Sequence, residues 1–99
     1  MMTIFDEDEG ARKLSLDEIM GEYEGRVIWI QVRERIAAMP AKFIRMTETE
    51  SGESYYLAFD STEKKGDHYY LRPTLMGKTW IAWSDKPTAM QRREAMAHG

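Results

Sequence analysis

The stretch from Arg26 to Val32 constrains this chain most. Five of its seven residues, Val27, Ile28, Trp29, Ile30 and Val32, are β-branched or aromatic, which favours a strand. Successive strand residues point to opposite faces, so this strand is apolar on both. Such a strand belongs inside a sheet with cover on each side. The chain has only 99 residues with which to provide that cover. One domain with one modest core follows from that length. There is no cysteine, so neither a disulfide framework nor a Cys-based zinc site can help, and the core must come from packing.

A helix precedes the strand. Ser15-Leu16-Asp17-Glu18 has the spacing of a capping box, with Ser15 as N-cap and Glu18 at the third helical position. Leu14 and Ile19 have the spacing of a hydrophobic staple. Leu16, Ile19, Met20 and Tyr23 recur at helical spacing and predict the buried stripe, with Gly25 ending the segment. This helix is the obvious cover for one face of the strand.

Short strands follow, separated by turn signals. Residues 33–40 read as a loop with a helical turn, stopped by Pro40. Lys42–Thr49 alternates Phe43, Arg45 and Thr47 against Ile44, Met46 and Glu48. Ser51-Gly52 marks a hairpin, and Ser54–Asp60 is the return strand, with Tyr55, Leu57 and Phe59 on one face and Tyr56 and Ala58 on the other. Residues 61–67 form a polar turn, His68–Arg72 a short strand ended by Pro73, and Lys78–Trp83 the last strand after Gly77. Residues 88–97 can form a C-terminal helix, because Thr88 and Gln91 again have capping-box spacing. The predicted fold is mainly β (α+β): a five-stranded antiparallel meander curled into an SH3-like barrel or bent sheet, with a short N-terminal helix. Residues 1–13 read as an acidic flexible tail, 14–87 as the globular domain, and 88–99 as a C-terminal tail or short helix.

Charge and motifs exclude more functions than they suggest. The net charge is −3 and the pI about 5.4, without the basic excess of a duplex-DNA binder. Much of the negative charge comes from Asp6-Glu7-Asp8-Glu9, an expected solvated terminus. The start lacks the basic and apolar regions of a signal peptide, and the longest apolar run, Val27–Ile30, is too short to span a bilayer. A cytoplasmic location is expected. Gly77-Lys78-Thr79 matches the end of a phosphate-binding loop. Arg72 stands where that motif needs its first glycine, however, and a strand rather than a helix follows. The histidines are His68 and His98. One histidine among scattered carboxylates is a poor metal site, and neighbours Asp67 and His68 point to opposite faces of a strand. No Ser/His/Asp set has a recognisable spacing. No enzymatic activity, cofactor or metal is expected.

The aromatics carry the candidate site. If Tyr55, Leu57, Phe59, Tyr69, Leu71, Ile81 and Trp83 face the core, alternation sends Tyr56, His68, Tyr70, Arg72, Lys78 and Trp80 to the other face. Of these, Tyr56, Tyr70, Arg72, Lys78 and Trp80 are the predicted binding residues. Tyr, Trp and Arg dominate protein-binding hot spots, and an aromatic strip with cations also suits single-stranded nucleic acid. In a closed barrel or beneath the helices, many of these residues are simply core, and that reading outweighs either partner. The expected function is a small binding or interaction module with a protein partner; the alternative is a single-stranded nucleic-acid binder using the same strip.

The stretch Leu14-Ser15-Leu16-Asp17-Glu18-Ile19, followed by Glu24-Gly25-Arg26-Val27-Ile28-Trp29-Ile30, resembles the opening of small prophage-encoded proteins of unknown function from gut-type Firmicutes. Met76-Gly77-Lys78-Thr79-Trp80-Ile81-Ala82-Trp83-Ser84-Asp85-Lys86-Pro87 resembles their ending. The chain departs from their pattern at Arg26 and Met76, in its middle, and in its C-terminal extension. The resemblance implies a mobile-element origin and no catalytic residue.

Overall fold

The computed structural model describes residues 11–97 except 34, 36 and 53, and only the backbone of 96 and 97. The acidic run Asp6–Glu9 and His98 lie outside the described residues. Helix α1 (Leu16–Glu22) starts at the capping box read from the sequence. The Ser15 Oγ accepts the Glu18 backbone N–H at 3.1 Å, and Glu18 Oε1 accepts the Ser15 N–H at 2.9 Å. Ile19 and Tyr23 are buried, Leu16 packs at the core margin, and Met20 is exposed, so the stripe is narrower than its spacing suggests.

Five strands follow: β1 (Val27–Val32), β2 (Met39–Glu48), β3 (Tyr55–Ser61), β4 (His68–Leu71) and β5 (Trp80–Trp83). All pairings are antiparallel, in the order β4-β3-β2-β1-β5. The first four strands form the expected meander. The last leaves it, returning beside β1 after a 3-10 turn at Pro73–Leu75. Gly77, with φ +87°, makes the turn into β5 and donates its N–H to the Trp80 carbonyl at 2.7 Å. This left-handed backbone favours glycine. Strand β1 is therefore interior, as its composition requires.

The sheet is bent and not closed. Strands β3 and β5 are three positions apart, which in a flat sheet is about 14 Å. Yet the rings of Phe59 and Trp80 lie 6.3 Å apart, centroid to centroid, so the sheet folds over itself. Ile28, Ile30, Phe43, Leu57, Phe59, Trp80 and Ala82 fill the concave side with Leu14, Ile19 and Tyr23.

Three boundaries differ from expectation. Strand β2 begins at Met39, and Pro40 lies inside it opposite Trp29 rather than ahead of it. Residues 11–13, assigned to the tail by sequence, continue the sheet: Lys13 lies antiparallel to Trp83, and Leu14 N–H bonds the Ala82 carbonyl at 2.9 Å. Lys78 and Thr79 lie in a turn, and β5 starts at Trp80.

Helix α2 (Ala89–Ala97) forms from the second capping box, with Gln91 N–H to Thr88 Oγ1 at 3.0 Å and Thr88 N–H to Gln91 Oε1 at 2.9 Å. It covers the convex face of β1 and β5. Gln31, fully buried there, accepts the Trp83 Nε1–H at 2.9 Å and donates to the Arg92 carbonyl at 3.1 Å. Gln91 donates to the Ala11 carbonyl at 2.8 Å, tying the helix to the N-terminal segment.

Trp80 is 1% exposed. Trp80→Ala should lower unfolding free energy by about 3–5 kcal/mol in urea titrations, as for other large-to-small core changes. Glu18 is held below the usual carboxylate range, first by the Ser15 backbone N–H and then by the Arg12 guanidinium. A depressed folded pKa gives stability that is present above the unfolded value and is lost as pH falls through the folded one. Glu18→Gln should therefore flatten the acid side of the stability–pH profile and leave its alkaline side parallel to wild type.

Candidate functional site

Among the described residues, no helix lies over the convex face of β2, β3 and β4. Which side chains reach it depends on one irregularity. Between Phe43 and Arg45 the β2–β3 register shifts by a residue, leaving Ile44 as a bulge. Phe43 opposes Phe59 in the core, but Arg45 opposes Ala58 and Thr47 opposes Tyr56 on the outer face. Simple alternation puts Arg45 and Thr47 on the same side as Phe43. A bulge inserts one residue and so reverses the facing of every strand position after it.

Cross-strand rows then build the surface. Lys42, Asp60 and His68 form one row, and Arg45, Ala58 and Tyr70 the next. Thr47 and Tyr56 form a third, with Arg72 just beyond the end of β4. His68 Nδ1 sits 2.7 Å from Asp60 Oδ1, so its partner is the residue across the strand and not its sequence neighbour Asp67.

Three of the five predicted binding residues come together. The Tyr56 and Tyr70 rings meet edge-on at 6.0 Å, and the Arg72 guanidinium lies 5.0 Å from the Tyr56 ring centroid. Arg72 is further held by Ser54 Oγ at 3.1 Å. Tyr70 is 58% exposed, the most exposed tyrosine described. Lys78 is exposed but stands in the turn before β5, where Arg33 Nη1 reaches its carbonyl at 3.4 Å. Trp80 belongs to the core, and its Nε1 donates to the Arg72 carbonyl at 2.8 Å. The predicted parity of the last strand is thus inverted. Trp80 and Ala82 face inward, and Trp83 is buried under α2.

Two hollows mark the open face. One, about 340 Å³, is lined by Ile44, Arg45, Ala58, Asp60 and His68 together with Thr47 and Tyr70. The other, about 710 Å³, adds Glu48, Glu50 and Tyr56 to the shared Thr47 and Tyr70. Together they form one shallow trough. Arg45, Glu48 and Glu50 were missed as site residues. The bulge concealed the first; Glu48 pairs with Tyr55 on the core-side parity and meets the hollow at the strand end, and Glu50 lies beyond the strand, where alternation gives no guide.

Among the described residues, no three His, Asp or Glu side chains could hold a metal ion, and no helix is long and apolar enough to cross a membrane. The arrangement offers an exposed aromatic pair, one cation held against a ring and a shallow hollow.

Tyr70→Ala should lower stability by about 1 kcal/mol or less, because the side chain is 58% exposed and loses mainly its edge-on pairing with Tyr56. A loss comparable to Trp80→Ala in the same urea titration would place Tyr70 in the packing and remove it from the site.

The chain matches no protein-family model, no curated protein and no solved structure in these comparisons.

Proposed function

We propose that the protein is a small non-catalytic interaction module of phage or prophage type, working in the cytoplasm and binding a protein partner through the convex face of β2–β4. The observation that carries this reading is the exposed Tyr70 ring beside the Tyr56–Arg72 pair, at the edge of a trough floored by Ala58. Tyrosine and arginine supply large contact area with few rotatable bonds and a polar end, which suits them to binding hot spots. The meander of four strands, with the fifth returning beside the first, is compatible with the SH3-like arrangement expected from the sequence. The mobile-element origin rests on the resemblance at both ends of the domain.

A single-stranded nucleic acid is the alternative occupant, since aromatics and cations share this face. Two features favour protein. Arg72 already lies against the Tyr56 ring, leaving Tyr70 as the open stacking surface. Glu48 and Glu50 line the larger hollow, where they would repel phosphates.

The test is site-specific photocrosslinking in the native host, with benzoylphenylalanine at Tyr56 or Tyr70 and, as control, at Lys65 in the far turn. Both face positions should yield the same protein adduct and the control none. Adducts identical at all three positions, or absent from the face, would refute the reading. Binding of labelled oligothymidine that weakens as salt rises would transfer the site to nucleic acid.

A further inference from the structure

The open face carries a charge opposite to that of the whole chain. Each of its three cross-strand rows holds one fixed cation: Lys42 in the first, Arg45 in the second and Arg72 in the third. The carboxylate among them is Asp60, which His68 Nδ1 meets at 2.7 Å. With histidine neutral, three cations less one carboxylate give +2 on these rows, in a chain of net −3. All three cations are exposed, and among the described residues none has an ion-pair partner. Glu48 has the other facing, paired with Tyr55, and with Glu50 it meets the face only at the hairpin end.

Neighbouring rows lie about 7 Å apart along the strand, inside a Debye length of about 8 Å. Lys42 and Arg45 therefore act together on any charge brought between them. Arg72, packed on Tyr56, adds to the same field from the β4 side. We propose that this face takes an acidic segment of a partner protein, with its carboxylates at Lys42 and Arg45 and an apolar side chain over Ala58 beside Tyr70. Ala58 is the small member of the second row, between Arg45 and Tyr70, and leaves room for that contact. The proposal rests on the interaction-module reading and names the chemistry of its partner. Basic segments are turned away by like charge. A nucleic acid strand is also anionic, but it carries a phosphate on every nucleotide and runs on to Glu48 and Glu50 at the hairpin end. A short acidic segment stays over the first two rows.

Three short labelled peptides test this. All contain phenylalanine and glycine, and they differ in whether the remaining residues are aspartate, serine or lysine. The aspartate peptide should bind wild type about fivefold or more tightly than the serine peptide, the scale of two exposed charge pairs, and the lysine peptide should bind most weakly. Binding of the aspartate peptide should weaken as salt rises and should shift the backbone amide signals of Ala58 and Tyr70 in nitrogen–proton correlation spectra. Lys42→Glu with Arg45→Glu should reverse the order of the three peptides. Lys13→Glu with Lys78→Glu makes the same change in net charge away from the face and should leave the order as it is. All four positions are exposed, and the same spectra show that the variants are folded. Equal binding of the three peptides, no binding, an order unchanged by the face pair, or one reversed equally by the control pair would overturn the inference. Oligothymidine binding more tightly than the aspartate peptide would overturn it too, and give the face to nucleic acid. If photocrosslinked protein adducts at Tyr70 persist in any of these cases, the interaction module stands and only its partner's chemistry falls. If those adducts are absent as well, both fall.

Discussion

A nine-residue helix can cover only part of a five-stranded sheet, and Gln31 decides which part. At 1.5 Å per residue α2 is about 14 Å long and about 10 Å wide, room for two strands of about 4.8 Å spacing. Gln31 has no exposure and lies on the convex side of the interior strand. A buried amide must find partners, since leaving one unmade costs about 1–3 kcal/mol. It finds them in Trp83 Nε1–H and in the Arg92 carbonyl on α2. Helix α2 presents little apolar surface of its own, and Met90 is exposed. Hydrogen bonds from Gln31, Gln91 and the Thr88 cap therefore position it more than any apolar stripe does. With α2 placed over β1 and β5, the convex side of β2, β3 and β4 stays open, and that open half is the candidate site.

The concave side faces a different constraint. It must close over a core without a second sheet or a disulfide. The bend brings β5 to β3, and Trp80 fills the gap against Phe59. Trp80 carries a polar hydrogen into that core and places it on the Arg72 carbonyl at 2.8 Å. The requirement that a buried indole N–H be paired thus fixes the backbone where β4 ends.

Residues with a local cause were legible before the fold. Both capping boxes stand where their spacing predicted, because a cap is an interaction across three residues. The interior position of β1 followed from apolar side chains on both faces. The facing of β5 did not follow, because Trp80-Ile81-Ala82-Trp83 is apolar at every position and alternation has nothing to read. Its two tryptophans are buried on opposite sides of the sheet, one in the core and one under α2. Arg45 was misplaced for a related reason: the bulge at Ile44 arises from pairing with β3, and no glycine marks it. Tyr56, Tyr70 and Arg72 were legible as a group because β3 and β4 pair in the register that simple alternation assumes.

Arg72 connects the two sides of the sheet. Its carbonyl accepts from Trp80 in the core, while its guanidinium lies against Tyr56 on the open face and bonds Ser54 Oγ. The backbone under the aromatic pair is thus anchored by the largest fully buried side chain among the described residues. A site mounted in this way loses little conformational freedom on binding, which lowers the ordering cost that otherwise subtracts from affinity.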